Sequence, residues 1–258
     1  MLYRIYPCLY LNNLLTLRIK ILFYIFSIVI FFIGNACKKN KIENPPDLGY
    51  DFSPTAIGSY IIYDIDSTYY DDFSHDTLNF KYRIKEKFEE NFIDNQGRNA
   101  VKIVRYIKKY NPLLSYDNIS WTIKDVWSCN ITKATYEVVE ENVRIVKLSF
   151  PVKTDANWNG NAQNTNEEWN YKYNYTDNSE IVNGTSFEKV LLVEQKDDKL
   201  KNVIHRQYYI EKYAKNIGLI YREIKDLYSN TVISNIPVEQ RIEKGIIYKQ
   251  TYITHGTE

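Results

Sequence analysis

Alternation of apolar and polar side chains is the feature that most constrains the fold of this chain. Between residues 78 and 85 one face of an extended segment carries only apolar residues and the other only polar ones: Leu78, Phe80, Tyr82 and Ile84 against Asn79, Lys81, Arg83 and Lys85. A period of two is that of a β-strand, whereas a surface helix repeats its apolar positions every three or four residues. The period recurs in at least six segments after Tyr50, which predicts half-buried strands.

Turn-forming residues separate these segments at intervals near ten residues. Residues 94–97, 140–142, 183–184 and 196–199 each stand between two alternating runs and are rich in Asn, Asp, Glu, Lys and Gly. Such short connections favour hairpins between antiparallel strands. We therefore predict a mainly β protein: a single antiparallel β domain of about ten strands over residues 50–258, built as a two-sheet sandwich or as an open curved sheet or half-barrel.

The start of the chain has the composition of a bacterial signal peptide. Arg4, Arg18 and Lys20 precede the apolar run 21–33, and no acidic residue accompanies them. At about 1.5 Å per helical residue this run is too short to cross about 30 Å of hydrocarbon. The charge and the length both predict a signal sequence over residues 1–36.

Cys37 follows the small-residue stretch 34–36 and precedes a polar segment, and this arrangement resembles the lipobox of bacterial lipoproteins. The resemblance implies a diacylglyceryl thioether on Cys37, cleavage after residue 36 and acylation of the new amino group. The usual aliphatic residue three positions before the cysteine is replaced by Gly34. The alternative is an uncleaved anchor helix extended back through residues 14–17, which would place Arg18 and a neighbouring lysine inside the membrane span.

A short tether is expected to follow the cysteine. Residues 38–48 are polar and contain Pro45 and Pro46, which favour an extended chain. The predicted organisation is a signal peptide over 1–36, a lipidated tether over 37–49 and the β domain from residue 50.

Cysteine usage gives the β domain a single thiol. Cys8 leaves with the signal peptide and Cys37 carries lipid, so Cys129 has no partner for an internal disulfide. We expect Cys129 to be a small buried apolar residue and not a nucleophile.

Composition and motifs exclude several classes of function. The formal net charge of +1 and the absence of a basic stripe argue against nucleic-acid binding. No zinc-protease, serine-hydrolase, phosphate-loop or dinucleotide motif occurs, so no catalytic residue and no cofactor are predicted.

Two patterns remain as candidate sites. Asp155, Asn157, Asn159 and Gly160 follow the first half of a calcium-loop spacing, but the position of the bidentate glutamate holds Asn166. We predict no metal there and favour side chains that cap their own backbone. The second pattern is an aromatic ladder on one strand face, for which core packing is favoured over a sugar platform: Trp169, Tyr171, Tyr173 and Tyr175.

Short motifs resemble a family of Bacteroidota envelope lipoproteins that has no assigned activity. These are a Pro-x-x-x-Gly before an alternating strand, a W-N-G-N loop and a Y-A-K-N-I-G-L-I-Y segment, at residues 54–58, 158–161 and 213–221. The resemblance implies O-glycosylation at Asp-Ser/Thr sequences, which makes Ser67 and Thr77 candidate acceptors.

The function expected from these features is non-enzymatic. A lipid-anchored β domain that binds a protein, glycan or lipid, or has a structural role, is favoured over an enzyme acting on glycan or envelope polymer. Lys38, Lys39 and Lys41 precede Glu43 after the cysteine, whereas surface-export signals are acidic there. We therefore expect attachment to the outer membrane on its periplasmic face.

Overall fold

The computed structural model describes residues 20–22, 46–198, 203–233 and 235–258. The chain divides into two compact units, Met1–Pro46 and Asp47–Glu258. The signal peptide, its cleavage point, Cys37 and the tether up to residue 45 fall outside the described residues, apart from a helical piece at 20–22. Among the residues described, no helix is long and apolar enough to cross a membrane.

The described part of the second unit consists of twelve strands, joined by hairpins, loops and three single 3-10 turns. The strands are β1 (Ser59–Tyr70), β2 (Thr77–Ile93), β3 (Asn99–Lys109), β4 (Thr122–Ile131), β5 (Thr135–Glu140), β6 (Val143–Ser149), β7 (Asn157–Asn159), β8 (Asn170–Val182), β9 (Thr185–Asp197), β10 (His205–Ala214), β11 (Gly218–Tyr228) and β12 (Lys244–Thr257).

All twelve strands belong to one antiparallel sheet with the order β6-β5-β4-β3-β2-β1-β12-β11-β10-β9-β8-β7. The chain runs outward from β1 to β6, continues to β7 and returns to β12. β12 then pairs with β1 from Ser59↔Thr257 to Tyr70↔Gly245. The sheet is therefore continuous from β6 to β7, and these two edge strands approach each other to give a nearly closed ring.

The prediction of a mainly antiparallel β domain is confirmed, but the two-sheet sandwich and the figure of about ten strands are wrong. Pairing of β1 with β12 along their whole length joins the two halves of the chain into one sheet. Register shifts occur in seven of the strand pairings described, and bulges increase local bending and twist. Because of this curvature, the sheet is more nearly closed than the open curved sheet expected from the sequence.

Two hairpins form where the turn residues predicted them. Glu141 and Asn142 have φ of 47° and 66° between β5 and β6, and Asn183 and Gly184 have φ of 49° and 78° between β8 and β9. Two consecutive residues with positive φ match the right-handed twist of a hairpin. The turn expected at 196–199 begins later, because β9 continues to Asp197.

The alternation at residues 78–85 is not matched by alternating burial, because Lys85 on the polar face is buried as well. Ile84 is buried, but Leu78 and Phe80 are 43% and 48% exposed. β3 first pairs with β2 at Tyr82, so the β1–β2 hairpin extends beyond β3, and Leu78 and Phe80 lie outside that pairing.

Two hydrophobic clusters fill the ring. One contains Cys129, Tyr171 and Tyr173 together with residues of β2 to β6, and the other contains Tyr63, Ile84 and Tyr252. The core position expected for Cys129 is confirmed, as is core packing for the middle of the aromatic ladder.

Candidate functional site

The line along which β6 and β7 approach each other, here called the seam, is closed mainly by side chains. One backbone bond crosses it, from the Val146 amide to the Gly160 carbonyl at 2.9 Å. The Trp158 Nε1 group donates to the Val146 carbonyl at 2.9 Å, and Asn164 Nδ2 donates to the Arg144 carbonyl at 2.7 Å. The seam therefore lacks the regular ladder that holds the other strands together.

Gly160 allows the chain after β7 to pack closely against β8. A Cβ atom at this position would lie 2.4 Å from the Tyr171 ring, which is closer than real contacts allow. The Gly160 amide also donates to the Trp169 carbonyl at 2.8 Å. The W-N-G-N motif thus provides a tryptophan that bridges the seam and a glycine that fits against an interior tyrosine.

The candidate calcium residues lie on the same side of the seam as the W-N-G-N motif. Asn157 and Asn159 belong to β7, and Asp155 precedes it in the left-handed region with φ of 64°. The Asn159 side-chain oxygen accepts from the backbone amides of Asn161 and Trp169 at 2.9 and 3.3 Å. This is the backbone capping that the sequence favoured over calcium. In the described chain no group of three or more His, Cys, Asp or Glu side chains is arranged to hold a metal ion.

A cavity of about 350 Å³ lies beside the seam and is here called the seam cavity. The chain that connects β7 to β8 forms part of its wall, and strands β5, β6 and β8 to β11 provide the rest. Its lining residues are Glu140, Ile145, Lys147, Asn161, Asn166, Glu167, Trp169, Tyr171, Gln195, Tyr209, Glu211, Arg222 and Ile224.

Four charged side chains on the cavity wall form a closed cycle, here called the central ion network. Lys147 contacts Glu140 at 2.9 Å and Glu211 at 2.8 Å, and Arg222 contacts the same two carboxylates at 2.9 and 2.8 Å. Glu211 is completely buried, and its second oxygen accepts from the Tyr213 hydroxyl at 2.5 Å. Two cations and two anions thus neutralise one another in the interior.

The network keeps its carboxylates ionised. Burial alone would raise the pKa of Glu140, but the charges of Arg222 and Lys147 outweigh it and lower the pKa to about 2. The pKa of Glu211 is also lowered, because Lys147 and Arg222 outweigh the burial that opposes them. Neither group is therefore protonated near neutral pH.

Two nitrogen atoms of residues that line the cavity are buried and have no hydrogen-bond partner among the described residues. They are the Nε2 group of Gln195, whose residue is 6% exposed, and the Nε group of Arg222. Gln195 lies at a β-bulge between the pairs Tyr209↔Lys196 and Ile210↔Glu194, and bulges re-aim side chains next to binding sites. An unpaired buried donor costs about 1–3 kcal/mol, which a bound acceptor atom would recover.

Aromatic side chains form a further part of the cavity wall. Trp169 meets Tyr209 edge to face with 4.9 Å between ring centroids. The Tyr209 hydroxyl donates to Asp226 at 2.8 Å, and the other oxygen of Asp226 lies 2.6 Å from the ring nitrogen of His205. These bonds hold the Tyr209 ring in place. Sequence reasoning placed Trp169 and Tyr171 on one strand face but had no signal that this face lines a cavity.

The remaining candidate residues lie away from the cavity. Burial raises the pKa of the Cys129 thiol to about 12, which suits a core residue and not a nucleophile. Ser67 is buried within β1, whereas Thr77 is exposed at the start of β2. Glycosylation stays a prediction, and the exposure favours Thr77.

Comparisons with known proteins give two similarities of fold. A predicted exported protein of Bacteroides fragilis with a YmcC-like fold is 9% identical, with a TM-score of 0.41 over 79% of this chain and 98% of its own. A predicted lipoprotein of Parabacteroides distasonis is 10% identical, with a TM-score of 0.39 over 83% of this chain and 100% of its own. No protein-family model and no curated protein matches the sequence.

Proposed function

We propose that this protein is a lipid-anchored envelope protein that binds a small molecule in the seam cavity without transforming it. The observation that carries the proposal is a cavity of about 350 Å³ lined by Gln195 and Arg222, two residues that each have a buried donor, Nε2 and Nε, without a hydrogen-bond partner. Cavities of this size with a few convergent polar groups are the usual form of a small-molecule site.

The charges on the cavity wall support binding over catalysis. A general acid needs a carboxyl that is protonated near neutral pH, and a nucleophile needs a free oxygen. Lys147 and Arg222 both contact Glu140 and Glu211, and they keep the pKa values of these carboxyls low. The two acids therefore have a structural role in the network.

The envelope location is supported by the sequence. The lipobox-like stretch that ends at Cys37 provides the lipid anchor, and two or three acyl chains give stable attachment. The lysines that follow Cys37 favour the periplasmic face of the outer membrane. Protease added to intact cells should leave the protein undegraded, and degradation would place it on the cell surface instead.

Binding is tested with the full chain in detergent and the low-molecular-mass fraction of an envelope extract, analysed by native mass spectrometry. The wild type should retain a small molecule that is released with unchanged mass. Ile224→Trp fills the cavity and should abolish retention, whereas Ile181→Trp, on the exposed face of β8, should not affect it.

Melting curves show whether Ile224→Trp is folded, and Ile145→Phe provides a milder filling of the same cavity. Failure of the wild type to retain any small molecule would refute the proposal, as would equal retention by the filled variants. A ligand released with altered mass would favour the enzyme acting on glycan or envelope polymer.

A further inference from the structure

The seam cavity has the chemistry of a site for an uncharged sugar. We infer that its ligand is a neutral mono- or disaccharide, an inference that rests on the proposed binding function.

The unpaired groups specify acceptor atoms on the ligand. Gln195 Nε2 and Arg222 Nε are both donors, and both are buried without a partner. A purely apolar ligand would leave them unsatisfied at a cost that weakens binding. Hydroxyl and ring oxygens accept such bonds, and hydroxyls can also donate to acceptors on the wall, such as the carboxylate of Glu167 and the amide oxygen of Asn166.

The charge of the wall disfavours an anion, and the central ion network offers a cation no unpaired carboxylate. Glu140, Glu167 and Glu211 face two cations, Lys147 and Arg222, so the lining carries a net negative charge that disfavours an anion. In the central ion network a cation would find no carboxylate without a partner, because Glu140 and Glu211 each contact both cations. Among the lining carboxylates only Glu167 lies outside that network. A cation would also leave the two donors unpaired. A neutral ligand avoids both penalties.

The aromatic wall suits the apolar face of a sugar ring. Trp169, Tyr171 and Tyr209 line the same cavity, and their ring faces carry partial negative charge that attracts C–H groups. Lys196, which is not part of the lining, lies 5.2 Å from the centre of the Trp169 ring. The cavity lining thus combines aromatic rings with the amides of Asn161, Asn166 and Gln195, a mixture that fits a molecule with both hydroxyls and C–H groups.

The inference is tested by calorimetric titration of the full chain with glucose, galactose, N-acetylglucosamine, maltose, glucuronate and glucosamine. At least one neutral sugar should bind. The acid and the amine should each bind at least about tenfold more weakly than the best neutral sugar, because a charge buried without a partner costs more than a hydrogen bond.

Two glutamine variants provide a matched pair. Gln195→Leu removes an unpaired donor from a residue that lines the cavity. The affinity for the best-binding sugar should fall about tenfold, which is the usual effect of one lost neutral hydrogen bond. Gln250→Leu removes a side chain that is equally buried and also has an unpaired Nε2, but that does not line the seam cavity. The Gln250→Leu variant should bind the best sugar with the same affinity as the wild type.

Melting curves establish that both variants are folded, and Trp169→Leu tests the aromatic wall independently. Tighter binding of glucuronate or glucosamine than of every neutral sugar would overturn the inference, as would equal effects of the two glutamine variants. If no sugar binds while the envelope fraction still yields a retained ligand, the sugar inference fails and the proposed function stands. If neither binds, both fail.

Discussion

Neutralising one buried carboxylate should destabilise this fold more than any single change on its surface. Glu211 is completely buried and contacts Lys147 and Arg222 at 2.8 Å each. Glu211→Gln keeps the volume of the side chain but leaves two cations against one carboxylate, Glu140. The excess positive charge is then largely buried, because Lys147 and Arg222 are only 4% and 8% exposed.

The loss in the free energy of unfolding follows from this imbalance of buried charge. Removing one partner of a buried ion pair costs about 3–5 kcal/mol, a large share of the roughly 5–15 kcal/mol that stabilises a domain. With a urea dependence of about 3 kcal/mol/M for a domain of this size, the unfolding midpoint should fall by about 1–1.7 M. The double variant Lys147→Met with Glu211→Gln removes one charge of each sign and should lie closer to the wild type than the single variant.

Urea unfolding followed by circular dichroism measures these differences. The matched control is Asp177→Asn, which breaks an exposed pair with Lys189 at 3.7 Å. That change should cost less than about 1 kcal/mol. A cost below about 1 kcal/mol for Glu211→Gln, or strict additivity in the double variant, would contradict a role for charge balance inside the ring.

Four further predictions follow from the sequence and the structure. An alkyne fatty acid should label the wild type and not Cys37→Ser, and equal labelling would exclude lipidation at Cys37. Calcium and EDTA should give the same melting temperature, whereas a rise with calcium that Asp155→Ala abolishes would establish a calcium loop. Iodoacetamide should modify Cys129 only after unfolding, because burial raises its thiol pKa to about 12; rapid labelling of the folded protein would show the thiol to be accessible. The low pKa of Glu140, about 2, contributes stability that is complete above its unfolded pKa and is lost as the pH falls through its folded pKa. Unfolding free energies should therefore decrease between about pH 4.5 and pH 2, and a flat profile would argue against the network.

The similarity between predicted and observed hairpins has a local cause. Asn183 and Gly184 tolerate positive φ, and the alternation on either side of them sets which face each strand buries. These properties depend on residues close together in sequence, so the amino-acid order alone predicts an antiparallel β protein with its turns near their observed places. The same holds for the core position of Cys129, which follows from the lack of a disulfide partner.

The closure of the sheet depends on contacts that sequence reasoning cannot identify. Lys147 reaches Glu211 across 64 positions of the chain, and Arg222 reaches Glu140 across 82. In an alternating pattern a charged residue is read as solvent-facing, because nothing local reveals a partner of opposite charge on a distant strand. The sequence by itself therefore determined the β class, its hairpins and the lipobox-like start. Only the tertiary structure decided that β12 returns to β1, that the edges meet at a seam and that charged side chains face inward around a cavity, because strand order, register and burial are set by the packing of the whole ring.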